Sequence, residues 1–240
     1  PARMLTLSRS DAGLQNPQTS ADLLAGSGES FVQKSQLGGG SPMIRGFATN
    51  RILLAVDGVR MNTAIFRGGN LQNAISIDPF SVERTEVLFG PGSVMYGSDA
   101  LGGVMSFATL APGFSYGSSP LWAANATVRS SSANEEKTGH LDLRLGLARW
   151  GFVSSVTWSE FGDLRMGSDG PDDYLRPHYV STVGGRDSML SNPDPELQTP
   201  SSYHQLSLMQ KIRFKPNDSW DLNYGAHYST TGDNSRYDRL

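Results

Sequence analysis

From Leu121 onward the chain alternates apolar and polar residues with a period of two. Trp122, Ala124, Ala126 and Val128 fall on one side, with Asn125, Thr127 and Arg129 on the other. Leu141, Leu143, Leu145 and Leu147 oppose His140, Asp142 and Arg144, and Phe152, Val156 and Trp158 oppose Ser155 and Thr157. Leu206, Leu208, Ile212 and Phe214 oppose Gln205, Ser207, Lys211 and Arg213. Trp220, Leu222, Tyr224, Ala226 and Tyr228 oppose Asp221, Asn223 and His227. Neighbouring side chains on a strand point to opposite faces, so each run predicts a strand with one apolar and one polar side. Five such runs, each of about 10 residues, have the length needed to cross a bilayer as tilted strands.

The same alternation suits a soluble antiparallel sandwich, whose outer faces are polar. Two features favour a membrane barrel. The connections alternate in length: Arg149-Trp150-Gly151 and 215–219 are tight, whereas 161–200 is long and polar, and Ser132 to Lys137 is intermediate. Barrels have short turns at one rim and long loops at the other. All four Trp lie beyond residue 120, with Trp122, Trp150 and Trp220 at one end of the strands and Trp158 near the other. Aromatic girdles at two interfaces have that distribution.

Composition narrows the field further. No apolar run approaches the ~18 residues of a membrane helix. Cysteine is absent, which removes disulfides, thiolate metal sites and a Cys nucleophile. The net charge is only −3, so nucleic acid is not an expected partner. The chain opens at Pro1 and its last residue, Leu240, falls in mid-pattern, so it is read as a fragment of a longer protein.

Residues 1–112 follow a different, glycine-rich pattern, that of a small α+β unit. Thr19 or Ser20 is expected to cap a short helix through Ala25, ended by Gly26 and Gly28. Strands are expected over 31–36, 51–56, 83–89 and 104–109, with one helical turn over 93–96. Asp57-Gly58 marks a hairpin, and Val59-Arg60-Met61 returns from it. Asp78-Pro79 fits a helix N-cap with Pro at the first helical position.

These elements carry a resemblance. Ile44-Arg45-Gly46, Val56-Asp57-Gly58-Val59, Val82-Glu83-Arg84-Thr85-Glu86-Val87, Gly90-Pro91-Gly92-Ser93, Tyr96-Gly97-Ser98 and Gly102-Gly103-Val104 stand in one order, followed at once by barrel strands. In that order they resemble the TonB-dependent outer-membrane receptors, and the wording around 62–73 is nearest the haemoglobin, transferrin and lactoferrin branch. The resemblance implies a plug over 1–112 and, over 113–240, the first five strands of a barrel with 22 in all. It implies import of an iron-bearing ligand, haem or a ferric siderophore, with cobalamin or a glycan as the alternative cargo. Its partners would be TonB with its inner-membrane energising complex and outer-membrane lipid. The location would be the bacterial outer membrane, with the plug facing the periplasm. No resident cofactor and no enzymatic step are implied. The family's TonB box is expected to lie outside this fragment. Phe89 departs from the pattern, since the family often has Arg before Gly-Pro.

The resemblance also assigns roles. Arg45 and Arg84 would face carboxylates on the barrel wall, with Glu83 and Glu86 as further ion-pairing groups. Arg60, Asn62, Phe66, Arg67, Asn70 and Gln72 would belong to an apical loop that meets the ligand, and a solvated loop is the alternative. Gly46, Asp57, Gly58, Gly90, Pro91, Gly92 and Gly97 are expected to shape turns. Glu83 and Glu86, three apart on a strand, point to opposite faces and so do not form a glycosidase pair. Gly90-Pro91-Gly92 lacks the Gly-Lys-Ser/Thr ending of a phosphate loop, and Ser93 lacks the flanking glycines of a nucleophile elbow. No two histidines stand at metal-ligand spacing. His178 beside Tyr179, in the long loop, is the external candidate for a haem or iron ligand, against the plainer reading of a solvated histidine. His140 and His227 would face the lumen. A soluble β-rich binding or adhesion protein is the alternative of a different class.

Overall fold

A computed structural model describes residues 3–26, 28, 31–33, 40–48, 51–61, 76–90 and 92–232. Strand β1 (Arg3–Ser8) runs straight into α1 (Arg9–Gln15). Ser8 caps this helix: its hydroxyl accepts from the Asp11 amide, and the Asp11 carboxylate accepts from the Ser8 amide at 2.8 Å. Asn16 then takes a left-handed conformation and ends it. Thr19 and Asp22 repeat the reciprocal cap on α2 (Ser20–Gly26), at 3.0 and 3.3 Å. Both helices are too short to persist without tertiary contacts. Leu23 and Leu24 bury α2 in the unit, whereas α1 buries no residue.

Next come β2 (Phe31–Gln33), β3 (Ser41–Ile44), β4 (Phe47–Ala48), β5 (Ile52–Val56) and β6 (Val59–Arg60). Two tight hairpins use the same device. Ile44 pairs with Phe47 across Arg45-Gly46, and Val56 pairs with Val59 across Asp57-Gly58. All four turn residues have positive φ, between 49° and 82°. Such turns match the right-handed twist of the flanking strands, and glycine adopts their second position without strain. β7 (Val82–Phe89), α3 (Ser93–Tyr96) and β8 (Gly103–Thr109) complete the unit.

The main sheet has the order β1-β7-β8-β5-β6; β5 and β8 are parallel and the other pairs antiparallel. Both its faces are covered. Ile52, Leu54, Val87, Phe89, Met105 and Phe107 pack with Ala21 and Leu24 of α2 on one side. Leu53 and Val104 pack with Ala100 on the other. That explains why β5 is an unbroken apolar run.

Asp78-Pro79 does not begin a helix. Asp78 Oδ1 accepts from the Phe80 amide at 3.0 Å, and its carbonyl accepts from the Ser81 amide at 3.1 Å. The side chain closes a turn of its own, as Asp does readily before Pro, and β7 follows immediately.

The second sheet is an antiparallel meander of β9 (Leu121–Ser131), β10 (Glu136–Gly146), β11 (Trp150–Phe161), β16 (Tyr203–Asn217) and β17 (Trp220–Thr231). Between β11 and β16 lie four short strands: β12 (Leu164–Arg165), β13 (His178–Val183), β14 (Arg186–Ser191) and β15 (Leu197–Gln198). The long loop is therefore built from a small hairpin, β13 with β14, on a β12–β15 pair. Asp163 fastens its base by accepting from the Ser201 and Ser202 amides and the Thr199 hydroxyl.

Register lines up whole rows of side chains. Ala126, Leu141, Val156, Leu208 and Tyr228 stand side by side across the five strands. The adjacent row is Thr127, His140, Thr157, Ser207 and Ser229. The apolar row is the exposed one: Leu141 is 41% exposed and Tyr228 57%. The middle of the polar row faces the N-terminal unit: His140 is 4% exposed and Thr157 5%, whereas Thr127 of β9 and Ser229 of β17 are exposed. Among the described residues no helix is long and apolar enough to cross a membrane.

Candidate functional site between the two sheets

Among the described residues the N-terminal unit meets the polar wall through three groups of side chains. The first is centred on Asp57. As the leading residue of the β5–β6 turn it accepts from the Thr109 amide at 2.9 Å and the Thr109 hydroxyl at 2.7 Å, which ties the turn to the end of β8. The same carboxylate receives Lys211 Nζ at 2.8 Å from β16 and His227 Nε2 at 3.3 Å from β17. Burial works to raise this carboxyl, but the His227, Lys211 and Thr109 hydrogen bonds overcome it and hold it well below the usual carboxylate range. One residue thus sets a hairpin and anchors it to the wall.

The second group joins the α1–α2 link to β9 and β10. Arg129 Nε lies 2.6 Å from Glu136 Oε1, with both side chains almost fully buried. Arg129 Nη1 donates to the Pro17 carbonyl at 2.7 Å, and Gln18 Nε2 donates to Glu136 Oε2 at 3.0 Å. The Thr138 hydroxyl donates to Glu136 Oε1 at 2.7 Å. A buried ion pair of this kind persists when most of its spare donors and acceptors find further partners. These do, except Arg129 Nη2, which is buried with no hydrogen-bond partner among the described residues.

The third group is the deepest. Asp78 Oδ2 lies 2.7 Å from Thr157 Oγ1, which lies 2.7 Å from His140 Nδ1. His140 Nε2 lies 3.2 Å from Asp142 Oδ2. Asp142 also receives Arg9 Nη2 of α1 at 2.8 Å, Asn125 Nδ2 at 3.0 Å and Arg144 Nε at 3.3 Å. Phe80 stacks on the His140 ring at 5.0 Å, and the Arg129 guanidinium lies over the same Phe80 ring at 5.1 Å. Burial raises the Asp78 carboxyl; the Thr157 hydrogen bond, the His140 and Arg129 charges and the Phe80 amide only partly offset it.

Asp57, His140 and His227 aside, the residues expected from sequence lie elsewhere. Arg84 Nε is 3.0 Å from Glu86 Oε1, two residues along β7 on the same face. Glu83 is exposed and sits at the register shift between Val82 and Arg84. Arg45 holds the positive-φ turn position, with its guanidinium 5.8 Å from the Phe89 ring centre; Arg3 reaches the same ring at 5.7 Å. Phe89, the departure from the family pattern, is thus a core ring flanked by two cations. Arg60 donates to the Tyr96 carbonyl, beside Gly97, which has φ 89°. Gly90 has φ 100°, and the Gly92 amide donates to the Ala100 carbonyl at 2.8 Å. Asn62, Phe66, Arg67, Asn70, Gln72 and Pro91 lie outside the described residues. His178 and Tyr179 stand on β13, paired with Ser191 and Leu190 in the outer hairpin. Among the described residues no group of three His, Cys, Asp or Glu is placed to hold a metal ion.

Sequence reasoning placed His140 and His227 on the lumen side, but it did not find Arg9, Gln18, Arg129, Glu136, Asp142, Thr157 or Lys211 as contacts. A signal was present in part: carboxylates and cations in the middle of a strand, on the face opposite the leucines, need partners from another element.

Comparison with known proteins agrees with this arrangement. Residues 1–104 match the model of the TonB-dependent receptor plug domain. The vitamin B12 transporter BtuB of Vibrio vulnificus strain CMCP6 is 44% identical over 91 residues, covering 36% of this chain and 14% of that protein. The hemin receptor of Yersinia enterocolitica is 35% identical over 109 residues, covering 45% of this chain and 15% of that one. Among solved structures, the copper transporter OprC superposes with a TM-score of 0.71 at 16% identity, over 95% of this chain and 31% of its own. The chain thus spans about a seventh of the two curated relatives. Residues 1–104 are thus similar to the plug domain of TonB-dependent receptors, and the five-stranded sheet follows them directly.

Proposed function

We propose that the protein is a gated importer of the outer membrane, and that this chain is its plug, over 1–112, with the leading strands of its barrel, over 113–240. The observation that carries the reading is the reversed polarity of the second sheet. In its three central strands, β10, β11 and β16, the apolar rows face outward and most of the opposing polar residues are buried on the plug. A soluble sandwich would bury the leucines and expose Asp142 and His140. A barrel in lipid needs the arrangement seen here.

The cargo we infer is an iron-bearing ligand, haem or a ferric siderophore, in line with the likeness to the hemin receptor. The partners would be TonB with its energising complex in the inner membrane, and outer-membrane lipid around the apolar rows, with the plug facing the periplasm. The reaction is displacement of the plug, with no covalent step and no resident cofactor. Arg45, Arg84, Glu83 and Glu86 are proposed as gating ion pairs with the rest of the wall. Arg60, Asn62, Phe66, Arg67, Asn70 and Gln72 are proposed as the ligand-facing loop, and His178 with Tyr179 as an external haem or iron contact. The 44% likeness to a vitamin B12 transporter supports cobalamin as the second reading.

Cells depleted of iron and expressing the full-length receptor are expected to take up labelled haem or ferric chelate only when TonB is present. Uptake of cobalamin but not iron would select the second reading. A full-length protein that stays soluble without detergent would overturn both.

A further inference from the structure

The third contact group contains an unsolved count of protons. Thr157 Oγ1 is within 2.7 Å of both Asp78 Oδ2 and His140 Nδ1, but a hydroxyl has one hydrogen and donates to one neighbour. At the far end, Asp142 accepts from Arg9, Arg144 and Asn125 and stays an acceptor toward His140. Two arrangements satisfy every contact. In one, Asp78 is ionised and takes the Thr157 hydrogen, and His140 is an imidazolium that donates through Nδ1 to Thr157 and through Nε2 to Asp142. In the other, Asp78 is protonated and donates to Thr157, Thr157 donates to His140 Nδ1, and neutral His140 donates through Nε2 to Asp142. They differ only by passage of one proton between Asp78 and His140 through the Thr157 hydroxyl. Remove that proton, and one contact in the chain must set two acceptors against each other.

We infer that Asp78, Thr157 and His140 share one buried proton, and that this proton is a pH-sensitive latch between plug and barrel wall. Asp78 belongs to the plug; Thr157 and His140 belong to adjacent strands of the wall. The turn held by Asp78 is itself bound into the plug, since Ser20 Oγ donates to the Ile77 carbonyl at 2.6 Å and the Leu110 amide donates to the Ser81 carbonyl at 2.9 Å. Loss of the proton therefore weakens the docking of the plug, not one side chain alone. The charges around the chain are Arg9 from α1, Arg129 from β9, and Asp142, Arg144 and Glu136 from β10. The cations neutralise Asp142 and Glu136, which leaves Asp78 and His140 as the pair that shares the proton. Burial already favours the protonated form of Asp78, so the sign is fixed: the latch is closed at low pH and opens as pH rises. The device does not depend on the cargo, so it can fail while the transport reading stands.

The test is amide hydrogen exchange on the full-length receptor in detergent, corrected for the intrinsic pH dependence of exchange. The reporters are the Phe80 amide, which donates to Asp78 Oδ1, and the Ser81 amide beside it. Protection at both is expected to fall about tenfold as pH rises from the ordinary carboxylate range, about 4, to roughly pH 9, the effect of one buried hydrogen bond. In Asp78→Asn the carboxamide donates to Thr157, whose hydrogen then goes to neutral His140. Protection in this near-isosteric variant should stay high and independent of pH. Thr157→Val should be poorly protected at every pH. A flat wild-type profile, or an Asp78→Asn profile with the wild-type slope, would overturn the latch. If Thr157→Val fails to assemble, the Asp78→Asn comparison decides alone.

Discussion

The plug sheet and the barrel sheet use the same local pattern and bury opposite halves of it. In β8 the alternation puts Met105 and Phe107 into a core, and a covering helix removes them from water. In β10 the alternation leaves Leu141, Leu143 and Leu145 exposed and buries Glu136, Thr138, His140 and Asp142. Period two gives a strand two faces, and only the medium on each side decides which face is inner. The plug folds as soluble domains do, by covering apolar area. The wall is held to the plug by hydrogen-bonded polar groups and, in the proposed function, offers its apolar area to lipid. The two regions should therefore fail under opposite substitutions.

The strongest test makes the inner wall apolar. Asp142→Leu removes the acceptor shared by Arg9, Arg144, Asn125 and His140, and leaves Arg9 and Arg144 without their carboxylate partner. Breaking a buried ion pair on one side costs about 3–5 kcal/mol. The loss should appear as easier release of the plug in urea, with the heat-resistant mobility of the barrel unchanged. A neutral result would mean the polar wall does not hold the plug.

A comparable effect, of opposite chemistry, is expected inside the plug. Phe107→Ala empties a fully buried ring position between α2 and the sheet, at a cost of about 3–5 kcal/mol. Hydrogen exchange should show β5, β7 and β8 opening together while β10 and β11 keep their protection. Somewhat smaller is the outward counterpart. Leu143→Arg places a cation on the proposed lipid face, which costs about 2–4 kcal/mol near a bilayer midplane and less toward the rim. Folding into lipid vesicles should be impaired while the plug contacts survive. Equal tolerance of Arg at 143 and in the plug core would erase the distinction between the sheets.

Much of this architecture was legible in the sequence, because alternation and turn chemistry are local. The five wall strands, their outward leucines and the Asp57-Gly58 hairpin all follow from neighbours in the chain. The clustering of Trp122, Trp150 and Trp220 at one rim is also visible before folding, and the register confirms it by setting Trp122 beside Leu145 and Trp220 beside Asn217. What stayed hidden was long-range pairing. Arg9 meets a carboxylate 133 residues away, and nothing beside it in sequence announces that partner. Asp78 misled for a related reason: Asp before Pro suits a helix cap and a free-standing turn equally, and Thr157, 79 residues on, is the partner that its other oxygen serves. The β1–α1 segment was missed because its amphipathic signal is weak and α1 buries nothing.

The smallest effect separates two carboxylates that both fasten plug to wall. Asp57 is held below the usual carboxylate range by His227, Lys211 and Thr109 in spite of its burial, whereas burial pushes Asp78 upward. For a lowered carboxyl the stabilisation is full above the ordinary value, near 4, and is lost as pH falls through the folded value. For a raised one it is lost as pH rises. The two grips therefore weaken at opposite ends of the pH scale. Asp57→Asn keeps the turn, since Asn tolerates the same positive φ, but gives up the charge that Lys211 meets at 2.8 Å. Discounted for its partial exposure, the loss at neutral pH should be about 1 kcal/mol. Urea midpoints for plug release, taken from neutral pH down to about pH 3, should fall in the wild type below roughly pH 4 and stay level in Asp57→Asn. Parallel profiles would show that the carboxylate of Asp57 shapes the hairpin without gripping the wall. Asp78 and Arg129 would then carry the fastening, and the plug would hold by its deep side alone.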